Sequence, residues 1–319
     1  MDYLLVAGGI VALFLGGEAL LRGAVGLARQ LRVSPMIIGL TVVGFGTGAP
    51  ELVVCLEAAL SGQPAIAVGN VIGSNIANIL LILGLAAMIR SLPVPREAVW
   101  RDGMVMLATT VVVVLFALFG NLERWQGLLL FAGLILFWTY IYRTERKNRD
   151  ELTAAGEELE TDPVGLPRRT GISLLLSLAG LIVLAFGSDL FLDGAIGLAR
   201  TFGVSEAVIG LSLVALGTSL PEMAAAGVAA YRGRGDVALG NVIGSNIINI
   251  LGIMGLSAIA TPLPLNAVTP CDLAVFLGAA VLALIFFATG RRIARREGTV
   301  FFAGYLAYIW MIYELPCPL

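Results

Sequence analysis

Polarity along this chain is organised in long blocks. Apolar residues run on for about twenty positions at a time, the length a helix needs to cross a bilayer core. Ten such blocks are predicted as membrane spans. They lie at 4–28, 36–61, 65–89, 98–119 and 125–143, and again at 171–199, 206–231, 236–260, 271–290 and 299–314. Between the two sets, Arg143 to Arg169 forms a hydrophilic stretch, basic at first (Arg146, Lys147, Arg149) and then acidic (Glu157, Glu158, Glu160, Asp162). With Pro163 and Pro167 discouraging regular structure, it reads as a flexible linker. Met1-Asp2-Tyr3 lacks a basic region and leads straight into the first apolar block, which reads as a span and not a cleaved signal.

The polar residues inside the blocks repeat. Gly69-Asn70-Val71-Ile72-Gly73-Ser74-Asn75-Ile76-Ala77-Asn78 returns 171 residues later as Gly240-Asn241-Val242-Ile243-Gly244-Ser245-Asn246-Ile247-Ile248-Asn249. At the same offset Gly46-Thr47-Gly48-Ala49-Pro50-Glu51 is answered by Gly217-Thr218-Ser219-Leu220-Pro221-Glu222, and Gly23–Arg29 by Gly194–Arg200. Each repeat holds five spans, and an odd number forces the second copy to enter the membrane upside down. The predicted fold is therefore an all-α membrane protein of ten transmembrane helices in two inverted-topology five-helix repeats. Residues 1–143 form the first repeat, 144–170 a cytoplasmic linker and 171–319 the second, inverted repeat. Spans 2, 3, 7 and 8 are expected to meet near the midplane.

Composition agrees. Hydrophobic residues make up 58% of the chain and charged residues 13%, with a mean hydropathy of +0.94. That is about half the charge of a soluble domain. Histidine is absent, which removes the commonest transition-metal ligand and proton shuttle. Three scattered cysteines, with Cys55 inside a span and Cys317 near the C-terminus, suggest no disulfide framework or metal cluster. Orientation follows from the cationic residues. With the N-terminus outside, seventeen of the twenty Lys and Arg fall in cytoplasmic loops, Arg124 and Arg200 fall outside, and Arg22 sits near the inner end of span 1. Both termini are thus expected on the outer side of the membrane, which the resemblance described below implies is the plasma (inner) membrane of a prokaryote.

Glu51 and Glu222 lie near the centres of spans 2 and 7, where an ionised carboxylate is costly unless compensated. Each follows a proline, which removes a helical donor and frees carbonyls around Gly46 and Thr47, and around Gly217 and Thr218. Each motif so offers a carboxylate, a threonine hydroxyl and backbone carbonyls within one turn. Spans 3 and 8 add Ser74 with Asn78 and Ser245 with Asn249, both at the i, i+4 spacing that shares one helix face. Gly69 with Gly73, and Gly240 with Gly244, form small-xxx-small steps for close helix approach. Oxygen-only coordination with two negative charges suits Ca2+, which takes about 6–8 oxygens, better than Mg2+; Na+ uses the same ligands. Other polar residues have plainer roles. Glu57 reads as a solvated vestibule residue, Glu18 and Arg22 as an i, i+4 pair, Asp189 and Asp193 as facing outer water, and Asp236 as the N-cap of span 8.

At these motifs the sequence resembles the calcium/cation antiporter superfamily, in its prokaryotic sodium/calcium exchanger branch, over essentially the whole chain. The resemblance implies that Glu51 and Glu222 hold Ca2+ with main-chain oxygens of Thr47 and Thr218. It implies Na+ sites drawing on the Gly44 and Ala215 carbonyls, Ser74, Ser245 and Ser219, with Asn78 at the central site. It also implies that spans 1 and 6 slide across the ligand-bearing core, a motion their glycines (Gly16, Gly17, Gly23, Gly26; Gly187, Gly194, Gly197) would permit. Two positions depart from the family pattern: Gly48 replaces a usual serine, and Asn249 replaces an aspartate found in several relatives. The second departure argues against a K+ requirement.

The expected function is secondary antiport of Na+ for Ca2+ by alternating access, with no enzymatic activity, no cofactor and no nucleic-acid partner. Both ions bind as substrates, and the lipid bilayer is the surrounding medium. The alternative is a Ca2+/H+ or broader cation/H+ exchanger using the same glutamates. An intramembrane phosphatase would need a basic anchor for phosphate, and no Lys or Arg accompanies either motif.

Overall fold

In the computed structural model the described residues are 1–96, 98–155, 167, 169–203 and 215–314. They form helices α1 (Asp2–Leu31), α2 (Pro35–Thr47), α3 (Ala49–Leu60), α4 (Pro64–Ile89), α5 (Val99–Ala117) and α6 (Arg124–Ala155). After the linker come α7 (Thr170–Thr201), a turn at Ala215–Gly217, α8 (Leu220–Tyr231), α9 (Gly235–Ala260), α10 (Pro270–Gly290) and α11 (Arg295–Glu314). Among the described residues seven helices are long and apolar enough to cross a membrane, and α2 with α3, bent by 45°, make an eighth span. Leu136 (70% exposed) and Ile182 (69%) typify an outer surface of large apolar side chains, which only a hydrocarbon solvent would tolerate over so wide an area.

Local chemistry sets the helix ends. Ser34 caps α2 by accepting the Ile37 N–H, with Pro35 at the first helical position. Thr269 and Asp272 form a capping box at the start of α10. Gly62 and Gly233, at φ +78° and +79°, make the tight turns α3–α4 and α8–α9 that a side chain would strain.

The 171-residue offset seen in the sequence recurs in the element boundaries. Ala49–Leu60 maps onto Leu220–Tyr231, and π-helical segments occur at Asn78–Leu83 and at Asn249–Met254. Two antiparallel ribbons tie the halves together: β1 (Leu92–Pro93) with β4 (Arg292–Ile293), and β2 (Asn121–Leu122) with β3 (Leu263–Pro264). The offset carries β1 onto β3 and β2 onto β4, so each ribbon is the image of the other.

Several expectations are corrected. Residues 144–155 of the presumed linker continue α6 as helix, while 156–166 and 168 lie outside the described residues. The first part of predicted span 7, residues 206–214, also lies outside them. Spans 2, 3 and 8 are not uniform α-helix but contain π segments, which sequence periodicity does not register. Asp236 is not the cap of α9; it sits in the first turn, accepts the Val237 N–H at 2.9 Å and pairs with Arg234 at 3.1 Å. Cys271 is disulfide-bonded, a closure that scattered spacing does not reveal.

The glycines of α1 and α7 also serve a purpose other than the expected one. A Cβ on Gly16 would stand 2.8 Å from the Leu184 backbone nitrogen, on Gly23 2.6 Å from that of Ser177, on Gly187 2.9 Å from that of Leu13, and on Gly194 2.7 Å from that of Val6. These residues, with Gly9 and Gly180, join α1 to α7 backbone against backbone. Only Gly17 faces the core, where its Cβ would meet Val228 of α8 at 3.0 Å. The glycines therefore weld α1 and α7 into one pair instead of smoothing a face toward the ligand-bearing helices.

Candidate functional site

Pro50 and Pro221 occupy the second position of α3 and α8, where a missing N–H costs nothing. The chain breaks just before them, at Gly48 and at Ser219, neither of which keeps helical ψ. Glu51 and Glu222 accordingly lie in the first turn of a half-helix, near the positive end of its dipole. Each carboxylate is 2% exposed.

The two halves interlock here. Glu51 lies beside Thr218 and Ser219 of the second half, and Glu222 beside Thr47 of the first. Ser219 donates its hydroxyl to Glu51 Oε1 at 3.3 Å. Thr47 Oγ1 donates to the Val43 carbonyl at 3.0 Å and approaches Asn241 Oδ1 at 3.4 Å, while Asn241 Nδ2 donates to the Glu222 carbonyl at 3.3 Å. The π segment carrying Asn78 packs on α8, which holds Glu222, and the one carrying Asn249 packs on α3, which holds Glu51. Gly44 backs directly onto the Ser245 backbone.

Oxygen without a partner collects in this region. Glu51 Oε2, Glu222 Oε2, Asn78 Oδ1, Asn249 Oδ1, Ser245 Oγ and Thr218 Oγ1 are buried and make no hydrogen bond. Buried polar atoms are otherwise almost always paired, and each exception asks for a cause. Every atom in the set is a hard oxygen of the kind a cation accepts as ligand.

The sequence-derived candidates divide into three groups. Glu51, Glu222, Thr47, Thr218 and Ser219 converge, and Asn249 joins them through the space beside Gly48. Asn78 and Ser245 are buried with free oxygens, but Ser74 gives its hydroxyl to Asn70 Oδ1 at 3.1 Å. The expected free carbonyls are partly used: Gly44 accepts the Gly48 N–H at 3.1 Å, and Gly217 accepts the Ser188 hydroxyl at 2.9 Å. Of Ala215, only the backbone is described. Gly240 and Gly244 do allow close approach of α2, and a Cβ on either would collide with the Met36 or Leu40 carbonyl. Gly69 and Gly73 meet nothing within 4 Å among the described residues; the counterparts of Met36 and Leu40 are residues 207 and 211, outside them. Sequence reasoning assigned no role to Asn241 or Ser188. Asn241 stood inside the repeated motif and could have been found there; Ser188 faces Gly17 in the repeat register and left no signal.

Elsewhere Glu18 pairs with Arg22 at 2.8 Å, as expected, and also with Arg232 at 2.7 Å. Glu57, Asp189 and Asp193 are exposed.

The architecture has known counterparts. Inner membrane protein YrbG of Escherichia coli is 35% identical over 315 residues, covering 96% of this chain and 95% of its own. The sodium/calcium exchanger MaX1 of Methanosarcina acetivorans is 33% identical over 358 residues, with 99% of each chain covered. A solved structure of the sodium-calcium exchanger NCX_Mj, soaked with zero Na+ and Ca2+, superposes with a TM-score of 0.83 at 31% identity over 98% of both chains. The sodium/calcium exchanger protein family matches residues 1–143 and, separately, 172–314, so this chain is a member of that family.

Proposed function

We propose that the protein is a secondary antiporter that exchanges Na+ for Ca2+ across the membrane by alternating access. The observation that carries this reading is the buried pair Glu51 and Glu222, one from each half, set among unpartnered oxygens with no cationic side chain beside them among the described residues. Two carboxylates do not stay charged together in low dielectric without a counter-ion. An empty, doubly ionised site therefore resists crossing the membrane, which enforces exchange over leak. One Ca2+ neutralises the pair, and so do two Na+, which makes the two ions competitors for one pocket. In this proposal Glu51 and Glu222 hold Ca2+ with main-chain oxygens of Thr47 and Thr218. Na+ draws on Ser219, Ser74, Ser245 and the Gly44 and Ala215 carbonyls, with Asn78 and Asn249 lining the centre. Relatives named as sodium/calcium exchangers support the choice of ions.

We further propose the topology read from the sequence: ten spans, residues 1–143 and 171–319 as inverted repeats, a cytoplasmic linker between them and both termini outside the inner membrane. Three observations support it. The family matches each half separately. Each β-ribbon joins a loop of one half to a loop of the other on what this topology makes a single membrane face. Cys271, at an end placed outside, is disulfide-bonded, as befits an oxidising compartment. The name of the E. coli relative supports the membrane assigned.

The deciding experiment is 45Ca2+ uptake into Na+-loaded proteoliposomes diluted into Na+-free buffer, for wild type and Glu222→Gln. Uptake that requires internal Na+ and disappears in the variant is expected. Uptake indifferent to Na+ but driven by a pH gradient would replace this reading with proton exchange at the same glutamates.

A further inference from the structure

The two halves differ at one position inside the site. Where the second half has Ser219, the first has Gly48. Ser219 provides Glu51 with a hydroxyl at 3.3 Å, whereas Gly48 has no side chain to offer Glu222. The space left is specific. A Cβ on Gly48 would stand 3.1 Å from the Gly44 carbonyl oxygen, 3.8 Å from Asn249 Oδ1 and 3.9 Å from Glu222 Oε1. Three oxygens from α2, α9 and α8 thus surround one point, and all three are acceptors in the state that binds cations. The Gly44 oxygen spends one lone pair on the Gly48 N–H and keeps the other. Asn249 Oδ1 makes no hydrogen bond, and Asn249 and Glu222 are each 2% exposed.

A buried point ringed only by acceptors calls for a donor or a positive charge. A water lying beyond that point, toward Asn249 and Glu222, would donate to these acceptors while presenting its own oxygen to an ion. We propose that Gly48, by carrying no side chain, leaves room there for a hydrated coordination position, so that the cation neutralising Glu222 keeps one water where a hydroxyl completes the Glu51 side. The inference rests on the cation-binding reading given above. The site is then asymmetric: near Glu51 the protein supplies the hydroxyl ligand, and near Glu222 the solvent does. Ca2+ suits such a position because it accepts water among its oxygens and tolerates irregular geometry.

The test separates a missing atom from a missing ligand. Gly48 has φ −77° and ψ 1°, close to the φ −90° and ψ 3° that Ser219 adopts in the other half, so Gly48→Ala and Gly48→Ser are both admissible with a small shift of the Gly44 carbonyl. Ca2+ binding to the purified full-length protein is measured by titration calorimetry. Alanine displaces the water and offers no oxygen, so affinity should fall about fivefold, the worth of one net polar contact. Serine displaces the water but returns an oxygen, and affinity should match or exceed wild type. The mirror pair follows the same rule. Both Ser219→Gly and Ser219→Ala lose the hydroxyl, but glycine leaves room for a water and should bind Ca2+ about fivefold more tightly than alanine. Equal affinities for Ala and Ser at position 48, or for Gly and Ala at position 219, would overturn the proposal. If neither position-48 variant purifies folded, the Ser219 pair decides alone. Because the readout is binding, failure of wild-type Na+-dependent uptake would defeat the exchange reading without touching this one.

Discussion

Ser219 reaches across the junction of the two halves to donate its hydroxyl to Glu51 Oε1 at 3.3 Å. The carboxylate of one repeat is thereby completed by the break in the helix of the other. Glu222 is likewise placed beside Thr47. Neither half holds the whole cluster, and on the function proposed above the ion-binding groups come together only where the repeats meet. On that reading occupancy is coupled to the relative position of the halves, as alternating access requires.

Glu51→Gln and Glu222→Gln should each abolish high-affinity Ca2+ binding while leaving the fold intact. Glutamine keeps the shape and one carbonyl oxygen but removes half of the charge that a divalent ion must balance. Leaving a buried charge unmatched costs about 3–5 kcal/mol, so affinity should drop by about 100-fold or more. Calorimetry on each variant, beside a melting curve, checks this. Retention of wild-type affinity in either would remove that carboxylate from the site.

Protons should compete with Ca2+. With no cation bound, two neighbouring buried carboxylates relieve their repulsion by holding a proton. Ca2+ must displace it, so lowering the pH weakens apparent Ca2+ affinity and raising it restores affinity, with maximal uptake unchanged. Uptake measured across a Ca2+ series at neutral and mildly acidic pH should show a shifted half-saturation point. An unshifted one would count against a shared proton.

Much of this was legible in the sequence because the repeat is a physical constraint written twice. Pro50-Glu51 and Pro221-Glu222 marked a disturbed backbone inside spans 2 and 7, since proline has no N–H to donate within a helix, and the 171-residue offset fixed their pairing; that each span breaks there and leaves its proline in a first turn was not foreseen. The π segments at Asn78 and Asn249 were not legible, because one extra residue per turn leaves an all-apolar run looking the same. The seam between α1 and α7 was misread for a related reason. Glycine spacing reveals that a surface is narrow but not which neighbour occupies it, and here Gly16 and Gly187 meet the other helix of the pair. Ser188 escaped notice because its bond to the Gly217 carbonyl joins residues far apart in the chain and has no counterpart in the first half.

An ion cluster built on the buried Asp102 fastens α5 and α6 to the start of α2. Arg101 binds Asp102 at 2.7 Å and Glu145 at 3.5 Å, with side chains 11%, 0% and 13% exposed, and Glu145 also accepts the Ser34 N–H at 3.3 Å. Removing one partner strands a charge, so Arg101→Met should destabilise by about 3–5 kcal/mol. The double variant Arg101→Met/Asp102→Leu strands less and should recover much of the loss. Thermal unfolding in detergent gives both values; equal loss in the single and double variants would show packing, not charge, to be the cause.

The welded pair α1–α7 should move as one body during exchange. Its members approach backbone to backbone along their length, where a Cβ on the facing glycines would stand under 3.0 Å from the partner backbone, whereas toward the core a Cβ on Gly17 would meet α8 less closely, at 3.0 Å from the Val228 side chain and 3.2 Å from the Ala224 carbonyl. A Cβ on Gly17 would lie 3.3 Å from the Val228 Cβ, close to the about 3.5–4.5 Å span of a disulfide. Gly17→Cys/Val228→Cys, once oxidised, should therefore clamp α1 to the ligand-bearing core and stop Na+-driven 45Ca2+ uptake, with recovery on reduction. Ala12→Cys/Gly187→Cys joins α1 to α7, where a Cβ on Gly187 would stand 2.9 Å from the Ala12 Cβ and from the Leu13 backbone nitrogen and must displace them; because the bond itself lies within the moving body, the oxidised and reduced forms of this variant should transport alike. Wild-type protein carried through the same oxidation and reduction controls for the native cysteines. Full exchange by the oxidised Gly17–Val228 variant would mean that α1 does not shift against α8, and the sliding mechanism would have to be abandoned.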